Sequence, residues 1–255
     1  MRILVRGGIF RNMRSFFNYD NPLLVTDSRL SESIDIFKNL YPKSIIYDKI
    51  LNEPTIEDVK NIQTHMDNID CIVALGGGSP IDAAKAANIG FPETGPLLKN
   101  KVPLIAIPTT AGTGAEVTPF SVIKVGSEKV LISNNILIPS ISIVDYELTL
   151  SKPPMLTAIT GMDALCHALE AFVSKKHNMK SDEYAMDALK NIGQSLTQAV
   201  LDPNESSREK MMLGSMQAGL AFSNSSVTLV HGMSRPLGRY NIPHGMANAQ
   251  LVVPI

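Results

Sequence analysis

Apolar positions along this chain change texture near its middle. Up to about Val144, short unbroken runs rich in β-branched residues alternate with helical patterns: LLVT (Leu23 to Thr26), SIIY (Ser44 to Tyr47), CIVAL (Cys71 to Leu75) and LIAI (Leu104 to Ile107), then SVIKV, VLIS and ISIV. Continuous apolar strands separated by helices predict a parallel sheet covered on both faces. After Ser151-Lys152-Pro153-Pro154, apolar residues recur at three- and four-residue steps through Leu156, Ile159, Met162, Leu165, Leu169 and Phe172, the period of a helix. The proline pair suits a helix start. It predicts an α/β domain over 1–150 and an all-helical domain over 151–255. Met211 to Ser234 carries no Asp, Glu, Lys or Arg and is long enough to span a bilayer. Its Gln217, Asn224, Thr228, serines and His231 predict instead a helix buried inside protein.

At roughly 150 residues per domain, 255 residues make one large domain or two smaller ones. The sum of 23 Lys+Arg and 24 Asp+Glu, a net charge of −1, leaves no electrostatic footprint for nucleic acid or an anionic membrane. Cys71 and Cys166 lie in apolar stretches, as reduced buried thiols of a cytoplasmic protein do. Arg2, Arg6, Arg11 and Arg14 interrupt every apolar run at the start, so no secretory signal is expected there.

Candidate chemistry begins with CIVALGGGSPIDAAKAA, where Gly76, Gly77, Gly78 and Ser79 join a buried strand to a helix expected to begin near Pro80. Glycines let the main chain approach a phosphate, and a helix start offers unpaired N–H groups. The spacing matches neither G-x-G-x-x-G nor G-x-x-x-x-G-K-[ST], so a plain tight turn is an equal alternative. A second polar loop, PTTAGTGAEVT, follows LIAI, and its Thr109, Thr110 and Thr113 offer hydroxyls at the same sheet edge. Asp27, ending LLVT, is placed either to accept from an adenosine ribose, favouring NAD over NADP, or to cap a turn.

Five histidines are present, and three keep unusual company. Asp163 and His167 in TGMDALCHALEAF stand at i and i+4 on one helix face. His231 and His244 are each followed by Gly-Met. A carboxylate with three imidazoles suits Fe2+, Zn2+ or a similar ion and leaves room for a substrate oxygen. Singly, each has an ordinary alternative as a core histidine, a cap or an ion-pair partner.

GGGSPIDAAK, PTTAGTGAEVT, TGMDALCHALEAF and HGMSRPLG followed by PHGMANA resemble, in this order, the motifs of the iron-containing (group III) alcohol dehydrogenases. The resemblance implies a dehydroquinate synthase-like fold: an N-terminal parallel-sheet dinucleotide-binding domain plus a C-terminal helical domain. It implies hydride transfer between NAD(P) and a small alcohol or aldehyde on a divalent metal, in a protein expected to be a homo-oligomer, with dimers common. The implied ligands are Asp163, His167, His231 and His244. The implied cofactor residues are Asp27, Gly76, Gly77, Gly78, Ser79, Asp82, Thr109, Thr110, Thr113 and Lys129, with His231 and Arg235 in catalytic positions. A polyol dehydrogenase, a dehydroquinate synthase-like lyase or an inactive nucleotide-binding paralogue are the alternatives.

Three departures stand out, the first being that the spacing from His231 to His244, through GRYNIPH, is one residue shorter than in the family. Arg235 occupies a position where the family often has a histidine, which points either to a substrate anion or to a structural ion pair. Relatives also continue beyond LVVPI with further helices, so Val252, Val253 and Ile255 are expected to face partners outside this sequence, and the helical domain to be incomplete.

Overall fold

A computed structural model describes residues 1–90, 102–240 and 242–253. The chain divides into two compact units, one of 1–109 with 115–145, the other of 110–114 with 146–255.

The first unit is built on a six-stranded sheet: β1 (Arg2–Val5), β2 (Pro22–Val25), β3 (Ile45–Tyr47), β4 (Cys71–Gly76), β5 (Leu104–Pro108) and, after a hairpin, β8 (Ile141–Val144). Its order is β1-β8-β5-β4-β2-β3, and every pairing is parallel. β2, β4 and β5 are buried along their whole length, the continuous apolar reading that two covered faces require. Helices α1 (Ser31–Leu40), α2 (Ile56–Gln63) and α3 (Gly78–Ile89) connect the strands. The runs SVIKV and VLIS form β6 (Phe120–Val125) and β7 (Glu128–Ser133), an antiparallel hairpin outside the main sheet. β1 was not legible in the sequence, because its ends are exposed and, among the described residues, it pairs with β8 alone.

From β2 the chain runs outward to β3 and then returns to the other side of β2 to lay down β4. The gap between β2 and β4 is therefore a topological switch point, and ligands of open α/β sheets bind beyond the strand ends there. Asp27 follows β2, and the glycine turn follows β4. α3 begins at Gly78, earlier than Pro80. Pro80 falls in the first helical turn, where a missing N–H costs nothing, so it does not mark the start. Gly76 has φ +153°, and a Cβ there would stand 2.6 Å from Pro80 Cγ. Gly76→Ala is expected to cost about 1–3 kcal/mol and to disturb the turn, measured by urea unfolding alongside dinucleotide titration.

Lys85 is fully buried on α3 and pins the hairpin. Its Nζ donates to the carbonyls of Thr118 and Phe120 at 2.8 Å each. Burial lowers its pKa to about 8, against the pull of Asp82 and Glu116.

The second unit contains α4 (Pro154–Val173), α5 (Met179–Leu201), α6 (Glu205–Ser223), α7 (Leu229–Ser234) and α8 (His244–Leu251). Pro153 and Pro154 start α4 as expected. Asn178 with Ser181, and Asn204 with Ser207, close capping boxes at α5 and α6. The charge-free stretch Met211 to Ser234 is two helices, not one, because α6 ends at Ser223 and α7 starts at Leu229. Among the described residues, Pro154–Val173 is long and apolar enough to cross a membrane, but half of it is buried within the protein. Residues 110–114 belong to this unit through Gly114, whose φ is +62° and whose Cβ would meet Gly219 Cα at 2.6 Å. Val253 is exposed and Val252 half-buried, while Ile255 lies outside the described residues.

Candidate metal centre

α4 builds one wall of the centre. Its buried stripe carries Asp163, His167 and Glu170 at i, i+4 and i+7, the spacing that stacks side chains on one helix face. α7 supplies His231 and the first residue of α8 supplies His244. One ligand atom each from Asp163, His231 and His244 lies within 4.8 Å of the others. Asp163 Oδ1 stands 3.5 Å from His231 Nε2 and 3.8 Å from His244 Nε2. Two atoms that each bind one ion at about 2.0–2.2 Å are at most ~4.4 Å apart, so both separations suit a shared ion.

His167 lies beside this trio. Its ring stacks on His231 at 4.3 Å between centroids and on Phe222 at 4.4 Å. Its Nδ1 is buried without a hydrogen-bond partner, 4.0 Å from Asp163 Oδ2. Burial, helped by His231 and His244 and opposed by Asp163, lowers its pKa to about 3. The imidazole is therefore neutral at ordinary pH, as a ligand must be. Burial acts to raise the Asp163 carboxyl, yet His167, the His231 hydrogen bond and His244 together hold it below the usual carboxylate range. A carboxylate and three imidazoles, one of them with an orphaned nitrogen, are a donor set matched to a divalent cation.

Glu170 was missed by sequence reasoning, although it continues the Asp163–His167 spacing by one more turn. Its Oε1 accepts from Thr228 Oγ1 and Val230 N, both at 2.7 Å, and its Oε2 from His231 N at 3.3 Å and from His231 Nδ1. The last bond places a proton on His231 Nδ1 and turns Nε2 toward Asp163; burial acts to lower the His231 pKa, but the hydrogen bonds to Asp163 and Glu170 raise it above its ordinary value. Asn248, fully buried on α8, was missed too. It lies at i+4 from His244, the same signal that marked Asp163 and His167. Its Nδ2 donates to Asp163 Oδ1 at 2.7 Å and meets His231 Nε2 at 3.2 Å.

Arg235 follows α7 at i+4 from His231, is exposed, and has no ion-pair partner among the described residues. The other two histidines stand apart, His177 exposed against Asp182 and His65 half-buried against Tyr47.

The expected nucleotide residues are distributed as follows. Gly76 ends β4, and Gly77, Gly78 and Ser79 open α3, all three partly exposed. Asp27 caps the turn after β2 by accepting from Arg29 N at 2.9 Å, and it also pairs with the Arg29 guanidinium. Asp82 accepts from Val122 N at 3.0 Å, and burial pushes its carboxyl up to about 6 against Lys85 and that bond. Thr109 is buried at the end of β5, with its N–H on Gly76 O at 2.9 Å. Thr110 is half-buried and Thr113 exposed. Lys129 is exposed on β7 and pairs with Glu53.

Residues 2–146 match the family described as "Iron-containing alcohol dehydrogenase", and residues 157–254 match "Fe-containing alcohol dehydrogenase family, C-terminal". The chain is 43% identical over 196 residues to an NADPH-dependent butanol dehydrogenase of Clostridium saccharobutylicum, covering 71% of this chain and 50% of that protein. It is 37% identical over 243 residues to a 1,3-propanediol dehydrogenase of Klebsiella pneumoniae, covering 89% of this chain and 63% of that one. Among solved structures, sulfoacetaldehyde reductase from Bifidobacterium kashiwanohense in complex with NAD+ superposes with a TM-score of 0.91 at 32% identity, over 97% of this chain and 72% of that one. The chain thus spans between half and two thirds of the length of these two curated relatives.

Proposed function

Since the chain belongs to the iron-containing alcohol dehydrogenase family, we propose that it is a metal-dependent oxidoreductase passing a hydride between a nicotinamide dinucleotide and a small alcohol or aldehyde. The observation that carries this reading is the convergence of buried Asp163 and His231 with exposed His244, and with His167 stacked alongside. When bound, a divalent ion supplies Lewis acidity that lowers the pKa of an alcohol oxygen or polarises a carbonyl, and the dinucleotide supplies or takes up the hydride.

The chain's own residues do the rest. Asp163, His167, His231 and His244 hold the ion, with Asp163 contributing the charge and Glu170 orienting His231. Gly76, Gly77, Gly78 and Ser79 take the pyrophosphate on the N–H groups opening α3. Thr109, Thr110, Thr113, Asp82 and Lys129 line the remainder of the dinucleotide. Asp27, at the end of β2, accepts from the adenosine ribose and repels a 2′-phosphate, which favours NAD over NADP. Arg235, one turn from His231, offers a guanidinium to an anionic substrate group. Fe2+ is the family's metal and Zn2+ suits the same ligands. A cytoplasmic homo-oligomer without nucleic-acid or membrane partners completes the reading.

The test is metal content per chain after anaerobic preparation with iron and, separately, with zinc, beside His231→Ala. Close to one ion per chain is expected, lost in the variant. No bound metal in either preparation overturns the reading and leaves a dinucleotide-binding chain.

A further inference from the structure

Arg208 is a buried cation held by neutral groups. It is 3% exposed on α6, donates from Nη1 to Thr157 Oγ1 at 2.7 Å and from Nη2 to the carbonyl of Lys152 at 3.0 Å, and its Nε has no hydrogen-bond partner. Both acceptors are uncharged. The acids that flank it on α6, Glu205 and Glu209, are exposed, and Glu205 takes the Tyr146 hydroxyl at 3.1 Å. Burial lowers the pKa of the guanidinium with no carboxylate acting against it.

A small pocket adjoins this guanidinium, and all of its walls belong to the helical unit. Arg208 and Lys152 line it with Thr110, Thr149, Thr157 and Thr160, and it has room for about one water-sized group. Leu156 at its wall is exposed and Thr160 half-buried, so a small solute can enter. The hydroxyls of Thr149, Thr157 and Thr160 donate to the carbonyls of Tyr146, Pro153 and Leu156. The donors that meet a guest are therefore Arg208 Nε and Thr110, with the positive charge of Lys152 on the same wall. A water satisfies Nε but leaves the charge uncompensated. An anion does both, and a buried cation without a counter-charge is costly.

We propose that this pocket is a binding site for a monoatomic anion, a halide such as chloride, held by Arg208 Nε and Thr110 beside Lys152. The ion balances the charge of the residue that ties α6 to Thr157 on α4 and to Lys152 just before it, and so it stabilises the helical unit. None of the lining residues is a ligand of the metal centre, and Thr110 alone is shared with the residues assigned to the dinucleotide.

The test is thermal unfolding of the chelator-treated, dinucleotide-free protein in sodium chloride and in sodium gluconate at equal ionic strength, so that screening is the same in both. Once chloride exceeds its Kd about fivefold, the midpoint is expected about 2–4 °C above that in gluconate. Arg208→Met and Arg208→Gln remove the cation, and the difference between the salts is expected to vanish in both. Equal midpoints in the two salts for the unsubstituted protein overturn the proposal and leave water in the pocket. A chloride effect of full size in the Arg208 variants overturns it too, because the ion then binds elsewhere. Chloride NMR line broadening decides the matter if those variants fail to fold, read on the unsubstituted protein and on Thr110→Val, which leaves α6 untouched. Saturable broadening is expected, needing about 3- to 10-fold more chloride in Thr110→Val, the worth of one hydrogen bond. No broadening, or the same titration in Thr110→Val, overturns the proposal. Neither metal nor dinucleotide enters these measurements, so their outcome is separate from that of the metal reading.

Discussion

Gly245→Ala is expected to remove about 2–3 kcal/mol of stability and to weaken metal binding at least 100-fold, whereas Gly232→Ala leaves both within error. The two glycines sit in identical His-Gly-Met triplets, yet their surroundings are opposite. A Cβ on Gly245 would stand 2.1 Å from the main-chain oxygen of Ile159 and 3.0 Å from its Cγ2. That oxygen belongs to α4 and cannot rotate away, so α8 must retreat by more than an ångström, at the cost of overpacking. His244 and Asn248 flank Gly245 on the retreating helix. Metal ligands tolerate errors of about 0.2 Å, so His244 drops out of reach of an ion held by Asp163 and His231. Gly232 has nothing within 4 Å of its would-be Cβ and is exposed, and alanine there even gains helix propensity. Urea unfolding and Zn2+ titration of both variants check the contrast, and Zn2+ binding by Gly245→Ala at the unsubstituted affinity would refute it.

Glu170→Gln is expected to cost about 3 kcal/mol and to lower metal affinity 10- to 100-fold. The carboxylate is buried and takes bonds from Thr228, Val230 and, twice, His231. A glutamine returns one acceptor and turns an amino group on the remaining donors, and His231 loses the anion that holds its Nδ1 proton. Acid unfolding reads the same residue. Burial acts to raise the Glu170 pKa, but the bonds from His231 and Thr228 bring it from 4.5 down to about 2. Between those values the unfolded chain binds the proton and the folded chain does not. The stabilisation from Glu170 is therefore complete above about pH 5 and is lost as pH falls toward 2. In Glu170→Gln that part of the acid limb flattens, measured on chelator-treated protein so that metal release does not overlay it. An unchanged acid limb would show that the four bonds contribute no net stability.

The parts of this fold legible in the sequence share one trait, a local pattern in the apolar residues, either an unbroken run or a helical period. β2, β4 and β5 were readable because both faces are buried and their runs are unbroken. Asp163 and His167 were readable because two polar side chains four residues apart interrupt an apolar helix. Glu170 failed the same test only because a lone glutamate near the end of a helix looks like a solvated charge, and the donors that neutralise it arrive from α7, some 60 residues away in sequence. Asn248 was hidden likewise, since its partners lie on α4 and α7. The separation of the β6–β7 hairpin from the main sheet depends on pairing, which composition does not encode. Where polar groups are satisfied by distant parts of the chain, a single sequence carries the residue but not its partner.

Residues 110–114 lead to a different kind of consequence. In sequence they fall inside the stretch matched by the N-terminal family description, yet they pack as part of the helical unit, with Gly114 against Gly219. The boundary that heredity sees and the boundary that packing sees are not the same. A chimera joined near residue 146 would inherit this five-residue segment from one parent and the α6 surface that receives it from the other. During synthesis, too, the segment leaves the ribosome well before its seat on α6 exists. The helical unit is thus not modular in the genetic sense, and its first piece must wait for α6, its third helix, before it can be placed.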